Sequence, residues 1–466
     1  MSELANKSYK NLRPMMKPNS VAIIGASNTP GKVGHIILNN YLEEGYQGRL
    51  YPINVNDEIV MNIKAYKSVL DVKESIDLAV IAIPAMGVPK VLEECGRAKV
   101  KSVVVVSGGF SEVGNVELQN KLAAIAKKYR MPVLGPNCLG VMDPRSRTDT
   151  MFLPTYKLSK PKIGGVSFVS QSGAVGSTVL DLIAKEGFGL SKFISYGNAA
   201  DVDEVDILDY LMNDDETTVI IVYMEGAKRG REFLEIGKKI TKKKPVVIIK
   251  GGVTEAGAAA AHSHTASLAG SHEAYEAVFR QCGFSIAKDL DDLLYFGKAF
   301  ATEPMPAGNR IAIVTNGGGT GVLTTDAVYN SGLKMGEFSK QTIAALKKVM
   351  PMTVNVRNPL DLVGDADEKR YENALAALSQ DKNIDMLIVI ALFQTPGADE
   401  SLASRLVEFK KNSSKPMVVI SAGSAYTEER KIFMENEGLP VYDSPTAAAN
   451  SLAELLKYAN FKKGIA

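Results

Sequence analysis

The sequence predicts an α/β fold of three consecutive units, each built on a parallel sheet, and three observations predict it. Nine short β-branched runs, VAIIGA, LAVIAIP, SVVVVSGG, VSFVSQ, VIIVYME, PVVIIKGG, RIAIVTNGGG, MLIVIALF and PMVVISAG, alternate with amphipathic segments. Continuous apolar strands between helices belong to parallel sheets covered on both faces. Two stretches, 144–162 and 301–309, carry prolines and little periodicity and read as linkers. Finally, 466 residues exceed one ordinary core, and at roughly 150 residues per domain they suggest about three. The expected units are therefore 1–145, 160–300 and 308–466.

The first unit opens with VAIIGASNTPGKVGHIILNNYLEEG from residue 21: a strand, a glycine-rich turn, and a helix with Val33, Ile36, Ile37 and Tyr41 on one face. A turn of this kind aims helix N-terminal amides at an anion, the arrangement that binds phosphate. Its glycines, Gly25, Gly31 and Gly34, do not make G-x-G-x-x-G, and the second strand, RLYPINVN, ends in Asn54 where a dinucleotide site expects an acid. Nor is it a Walker A loop, because Val33 stands where Ser or Thr should follow Gly31-Lys32. Both the nicotinamide and the P-loop readings weaken. Tight βα turns use glycine for purely structural reasons as well.

Units two and three share a weak internal repeat. VSFVSQSGAVGSTVLDLIAKEG and IAIVTNGGGTGVLTTDAVYNSG place Ser170 against Thr315, Gly173 against Gly318 and Gly176 against Gly321. Each turn exposes backbone N–H groups at a helix start, where the helix dipole also favours negative charge. The chain thus offers two similar anion cradles.

Between them lies AAAAHSHTASLAG, residues 258–270, which holds two of the four histidines, His262 and His264, among small residues. The loop leaves the strand KPVVIIK, and loops at the carboxyl ends of parallel strands carry the sites of α/β proteins. A metal would want further ligands at suitable spacing than His262 and His272 provide, so no metal site is expected. A solvated loop histidine without chemistry is one reading. The other is a nucleophile: a neutral imidazole can attack phosphorus, and helix N-termini stabilise the phosphorylated product without arginine or lysine.

Charge and composition exclude other classes. A net charge of +2, from 54 basic and 52 acidic residues, leaves no electrostatic footprint for nucleic acid or an anionic membrane. Hydrophobic residues at 45% and charged residues at 23% match a globular protein. No run approaches a membrane span, and the polar start lacks a signal peptide's apolar region, which places the protein in the cytoplasm. Cys95, Cys138 and Cys282 lie far apart, as reduced buried thiols rather than a disulfide framework or zinc site.

Taken in order, these motifs resemble the α subunit of the ADP-forming (NDP-forming) acyl-CoA synthetases, relatives of succinyl-CoA synthetase. VAIIGASNTPGKVG looks like the family's CoA-binding loop, GPNCLGV like the turn closing its first domain, and SQSGAVG like its first phosphate-binding helix start. HSHTASLAG is similar to the catalytic loop, VYMEG supplies Glu225, and TNGGGTG with NPLDL (358–362) resembles third-domain motifs. The chain departs at Ala266, where many relatives carry glycine.

The resemblance implies a Rossmann-like CoA-binding domain followed by two flavodoxin-like domains. It makes His264 the phosphorylated nucleophile, Glu225 the carboxylate that hydrogen-bonds its ring, and His262 a loop neighbour without essential chemistry. CoA would contact Gly25, Ser27, Pro30, Gly31, Lys32, Val33, Asn54, Pro84 and Asn137; phosphate would be held by Ser170, Ser172, Gly173, Asn316, Gly317, Gly318 and Gly319. It also implies ADP/ATP with Mg on a separate ATP-grasp β subunit, in an α2β2 complex, because no ATP-grasp segment follows the third unit. The competing readings are a non-enzymatic CoA-binding or regulatory protein with a vestigial histidine, and a nicotinamide dehydrogenase.

Overall fold

A computed structural model describes residues 11–257 and 272–465. All nine apolar runs form strands, in sheets that are parallel apart from one edge and a small hairpin. The chain divides into two compact units, one reaching Ala184 and including Gly189–Ile286, the other made of Lys185–Phe188 and the residues from Ala287 onward.

The first unit holds two sheets. In the first, β1 (Ser20–Ile24), β2 (Arg49–Ile53), β5 (Leu78–Ile81), β6 (Ser102–Val105) and β7 (Val133–Leu134) run parallel in the order β2-β1-β5-β6-β7, with a hairpin of β3 (Ile59–Val60) and β4 (Ile63–Lys64) outside it. Successive β1 residues feed opposite cores, Ala22 and Ile24 on one face and Val21 and Ile23 on the other, as the period-two geometry of a strand requires. The chain leaves β1 toward β2 and returns to β5 on its other side. The order therefore reverses beside β1, and in open α/β sheets the crevice at such a reversal is where ligands bind.

The second sheet has the order β14-β13-β12-β10-β11-β8-β9. Its parallel strands are β10 (Ile163–Ser170), β11 (Leu190–Ser195), β12 (Val219–Met224), β13 (Val246–Lys250) and β14 (Ser285–Ile286). Its edge draws on residues at the border of the first two expected units. β8 (Gly140–Asp143) pairs antiparallel with β11, and β9 (Thr148–Asp149) with β8, so residues expected to end the first unit and begin a linker belong to the second sheet. Strands of four and two residues are too short to show a period, and the PRSR turn joining them reads as linker.

Lys192 of β11 lies fully buried, its ammonium 2.8 Å from Asp214, 3.0 Å from Glu216 and 3.6 Å from Asp143. A buried cation persists only with such partners. Cys95, Cys138 and Cys282 are free and buried.

The second unit carries β15 (Arg310–Thr315), β16 (Lys334–Met335), β17 (Leu360–Asp361), β18 (Met386–Ile390), β19 (Met417–Ile420) and β20 (Val441–Tyr442). The order is β16-β15-β18-β19-β20, all parallel, with β17 pairing the carboxyl end of β15. The helix Leu290–Thr302, expected in the preceding unit, packs here on the helix Pro445–Lys463. No helix among the described residues is long and apolar enough to cross a membrane.

Candidate active site

A cleft of about 1230 Å³ lies along the carboxyl edge of the first sheet. Gly25, Ser27, Gly31, Lys32, Val33, Asn54, Pro84 and Asn137 all line it; Pro30 is exposed on the same loop and does not. Asn54 follows β2 and Asn137 follows β7, so the cleft crosses the whole five-strand sheet, about 19 Å at the usual strand spacing. Among the described residues, Lys32, Lys67 and Lys90 face it against a single carboxylate, Glu94, an excess of positive charge that suits a polyphosphate. Lys67 and Lys90 escaped the sequence reading because neither stands in a motif with fixed spacing.

The glycine turn is built by close approach. A Cβ on Gly34 would sit 2.0 Å from the carbonyl oxygen of Gly25, so only glycine lets the helix Val33–Glu43 press against the end of β1. That helix buries Ile37, Leu38 and Tyr41, whereas Val33, expected on its core face, is 39% exposed and lines the cleft instead. Asn54 is largely used internally. Its amide donates to Ala26 O at 2.9 Å, and its Oδ1 accepts the N–H groups of Asn56 and Asp57, which shapes the loop rather than leaving a free polar group.

The first cradle follows β10. Ser170 Oγ donates to Ser172 O at 2.6 Å, and the helix Gly173–Lys185 begins immediately after. Gln171, absent from the sequence-predicted set although it stands inside SQSG, accepts at Oε1 from Glu225 N–H (2.7 Å), Gly226 N–H (3.3 Å) and Tyr196 OH (3.3 Å). Glu225 is buried just past β12. Its Oε1 accepts from Tyr223 OH at 3.2 Å, while its Oε2 is buried with no partner among the described residues. Gly251, directly after β13, donates its N–H to Met224 O at 2.8 Å, which brings the start of the histidine-bearing segment beside Glu225. Lys250 caps that corner over the Tyr275 ring at 4.7 Å; burial lowers its pKa, partly offset by the Glu225 charge. His262 and His264 lie outside the described residues.

In the other unit the same turn recurs. Thr315 Oγ1 donates to Gly317 O at 3.0 Å, as Ser170 does to Ser172, and Gly317 caps the helix Gly318–Asn330. A Cβ on Gly321 would lie 3.1 Å from Thr315 Cγ2, and one on Gly176 would lie 3.5 Å from Ser170 Cβ. Asn316 is buried and bonded to Leu392 and Thr395, which makes it a brace for the turn. The Asp361 carboxylate approaches Gly318, where a Cβ would come within 2.7 Å, and Gly319 is open.

Three family descriptions match this architecture: a CoA binding domain over residues 19–144, a succinyl-CoA ligase like flavodoxin domain over 163–300, and a ligase-CoA domain over 311–460. The ADP-forming acetate–CoA ligase of Methanocaldococcus jannaschii is 42% identical over 97% of this chain, which spans 64% of that protein's length. The ADP-forming acetate–CoA ligase II subunit alpha of Pyrococcus furiosus is 40% identical over 95% of this chain and 96% of its own. Among solved structures, the dinucleotide forming acetyl-coenzyme A synthetase 1 of Ca. Korarchaeum cryptofilum, in complex with phosphate and ADP, superposes with a TM-score of 0.92 at 36% identity, covering 98% of both chains. With its three domain matches in this order and a relative named as a subunit alpha matched over 95% of this chain, the chain belongs to the alpha subunits of the ADP-forming acyl-CoA synthetase family.

Proposed function

We propose that this chain is the alpha component of a cytoplasmic ADP-forming acyl-CoA synthetase, which reversibly converts acyl-CoA, phosphate and ADP into a carboxylic acid, CoA and ATP. CoA lies across the first sheet in the lysine-lined cleft, its thiol end toward Asn137. Phosphate attacks the thioester carbonyl; the CoA thiolate leaves and an acyl phosphate forms. The imidazole of His264 then attacks phosphorus, and the carboxylate leaves. Backbone amides at Ser172 and Gly173, and at Gly318 and Gly319, hold the phosphoryl oxygens at successive stages. An ATP-grasp partner in an α2β2 assembly supplies ADP with Mg, and the chain alone makes no ATP. The proposed functional units are 1–145, 160–300 and 308–466, with residues 140–149 structurally part of the second sheet.

The observation that carries this reading is the Oε2 of Glu225, buried without a donor among the described residues. A buried carboxylate oxygen without a donor is costly, and an imidazole N–H is the donor that the adjoining histidine segment can bring. Paired in this way, Glu225 fixes the ring tautomer and stabilises the imidazolium that forms.

The test is acid-labile, base-stable phosphate labelling of the chain incubated with acyl-CoA and radioactive phosphate. His264→Ala abolishes the label, and Glu225→Gln slows labelling by about two to four orders of magnitude without altering CoA affinity. Label of unchanged yield in His264→Ala overturns the assignment.

A further inference from the structure

The direction of the Asn137 amide is set from outside the cleft. Glu112 begins the sequence of contacts. Its Oε1 accepts the backbone N–H groups of Gly109 (2.5 Å) and Phe110 (3.1 Å), and its Oε2 accepts Asn198 Nδ2 at 2.5 Å. Burial raises the Glu112 pKa, but the hydrogen bonds from Gly109, Asn198 and Phe110 outweigh it and leave the carboxyl below its ordinary value. It is therefore ionised at neutral pH and accepts only.

A group that cannot donate leaves Asn198 no choice of orientation. The same Nδ2 also donates to Gln119 Oε1 at 3.0 Å. Asn198 Oδ1 must then face the other way, where it accepts Asn137 Nδ2 at 3.3 Å. Asn137 in turn keeps its Oδ1 away from Asn198 and beside Gly108, which lines the cleft with it; a Cβ added there would come within 3.3 Å of that oxygen and of Glu112 Oε1 alike. Backbone bonds hold both residues in place: Asn198 N–H to Pro136 O at 3.0 Å, and Asn137 N–H to Ser107 O at 2.9 Å. Asn198 is 7% exposed, so it acts on the cleft only through Asn137.

Asn137 stands at the end of the cleft nearest the first cradle, because Leu139, two residues on, packs where a Cβ on Gly173 would lie, at 3.4 Å. We propose that Glu112, acting through Asn198, holds Asn137 with its oxygen toward the cleft, so that Asn137 accepts a hydrogen bond from a donor at the reactive end of CoA: the thiol S–H or the last amide N–H of the pantetheine arm. This rests on the cleft being the CoA site. Asn137 touches the ligand; Glu112 and Asn198 are positioning residues.

The relay makes an unusual prediction about an isosteric change. In Glu112→Gln the new side chain has one oxygen, and the donor-only Gly109 and Phe110 amides claim it. Its NH₂ then faces Asn198, which turns over and turns Asn137 with it, presenting a donor to a donor. Calorimetric titration of the full chain with CoA should show about three- to tenfold weaker binding, the range one neutral hydrogen bond carries. Asn137→Leu should give a similar loss. The combined variant Glu112→Gln with Asn198→Asp moves the charge one position along the relay; its carboxylate accepts from both neighbours and restores affinity to within about twofold of the parent. A merely structural role for Glu112 would show no such recovery. Titration with desulfo-CoA assigns the donor: a loss confined to CoA marks the thiol, and an equal loss with both marks the amide. Glu112→Gln or Asn137→Leu binding CoA like the parent overturns the proposal, as does a combined variant that melts like the parent yet binds no better than Glu112→Gln. If the parent chain itself fails to bind CoA, the functional reading falls instead.

Discussion

Gln171 accepts the backbone N–H of Glu225 at 2.7 Å, so a residue of the first anion cradle anchors the strand end that presents the buried carboxylate. Gln171→Leu strands the N–H groups of Glu225 and Gly226, a loss of about 1 to 3 kcal/mol. Urea unfolding should show that loss, and phosphate labelling should slow while CoA affinity holds. Unchanged labelling would separate the cradle from Glu225.

The contact between Gly34 and Gly25 makes a steric prediction. Gly34→Ala forces a Cβ against backbone and should destabilise the chain by about 1 to 3 kcal/mol while weakening CoA binding. Gly319→Ala, helical and with nothing within 4 Å of the added Cβ, should leave stability unchanged or raise it by up to about 1 kcal/mol, and serves as the control. Chemical denaturation of the two variants checks the contrast.

Lys192 has no solvent and three carboxylates. Lys192→Met leaves Asp143 buried without its cation and should cost about 3 to 5 kcal/mol near neutral pH. The deficit should shrink in acid as the abandoned carboxyls take up protons. A calorimetric series from pH 7 to 4 reads both effects.

Glu216 gives a pH dependence of the same sense, from a lowered carboxyl. Burial pushes its pKa up, but hydrogen bonds and charge from Lys17 and Lys192 prevail and hold it at about 2 against an ordinary 4.5. Between those values the folded state carries fewer protons than the unfolded chain, so the stabilisation is complete above pH 4.5 and is lost as pH falls toward 2. The melting-temperature gap between the parent and Glu216→Gln should therefore narrow steadily from pH 5 to 3. A gap independent of pH would remove Glu216 from the network.

The fold was legible wherever a strand was apolar on both faces. VAIIGA, VIIVYME and MLIVIALF could belong only to buried parallel strands. LSKFIS was not, because Lys192 interrupts its apolar run and the acids that neutralise it come from the end of β8 and from the loop before β12, far off in sequence. The glycine turns marked the cleft loop and both cradles, since close backbone approach leaves a residue-type signature. Gln171, Glu112 and Asn198 left none: an amide or acid held by hydrogen bonds looks like any polar loop residue until its partners are known. Glu225 was found through family likeness, and that its Oε2 has no partner among the described residues is a fact of three dimensions alone.

Only Gly135 through Leu139 separate the last strand of the first sheet from the first strand of the second. Five residues make a strut rather than a tether. The rim that would seat the thioester and the sheet that would receive the phosphoryl group are thus stapled at fixed spacing, and a hinge there would tear Asn137 from Ser107. Whatever travel the catalytic cycle demands has to be borne elsewhere in the chain.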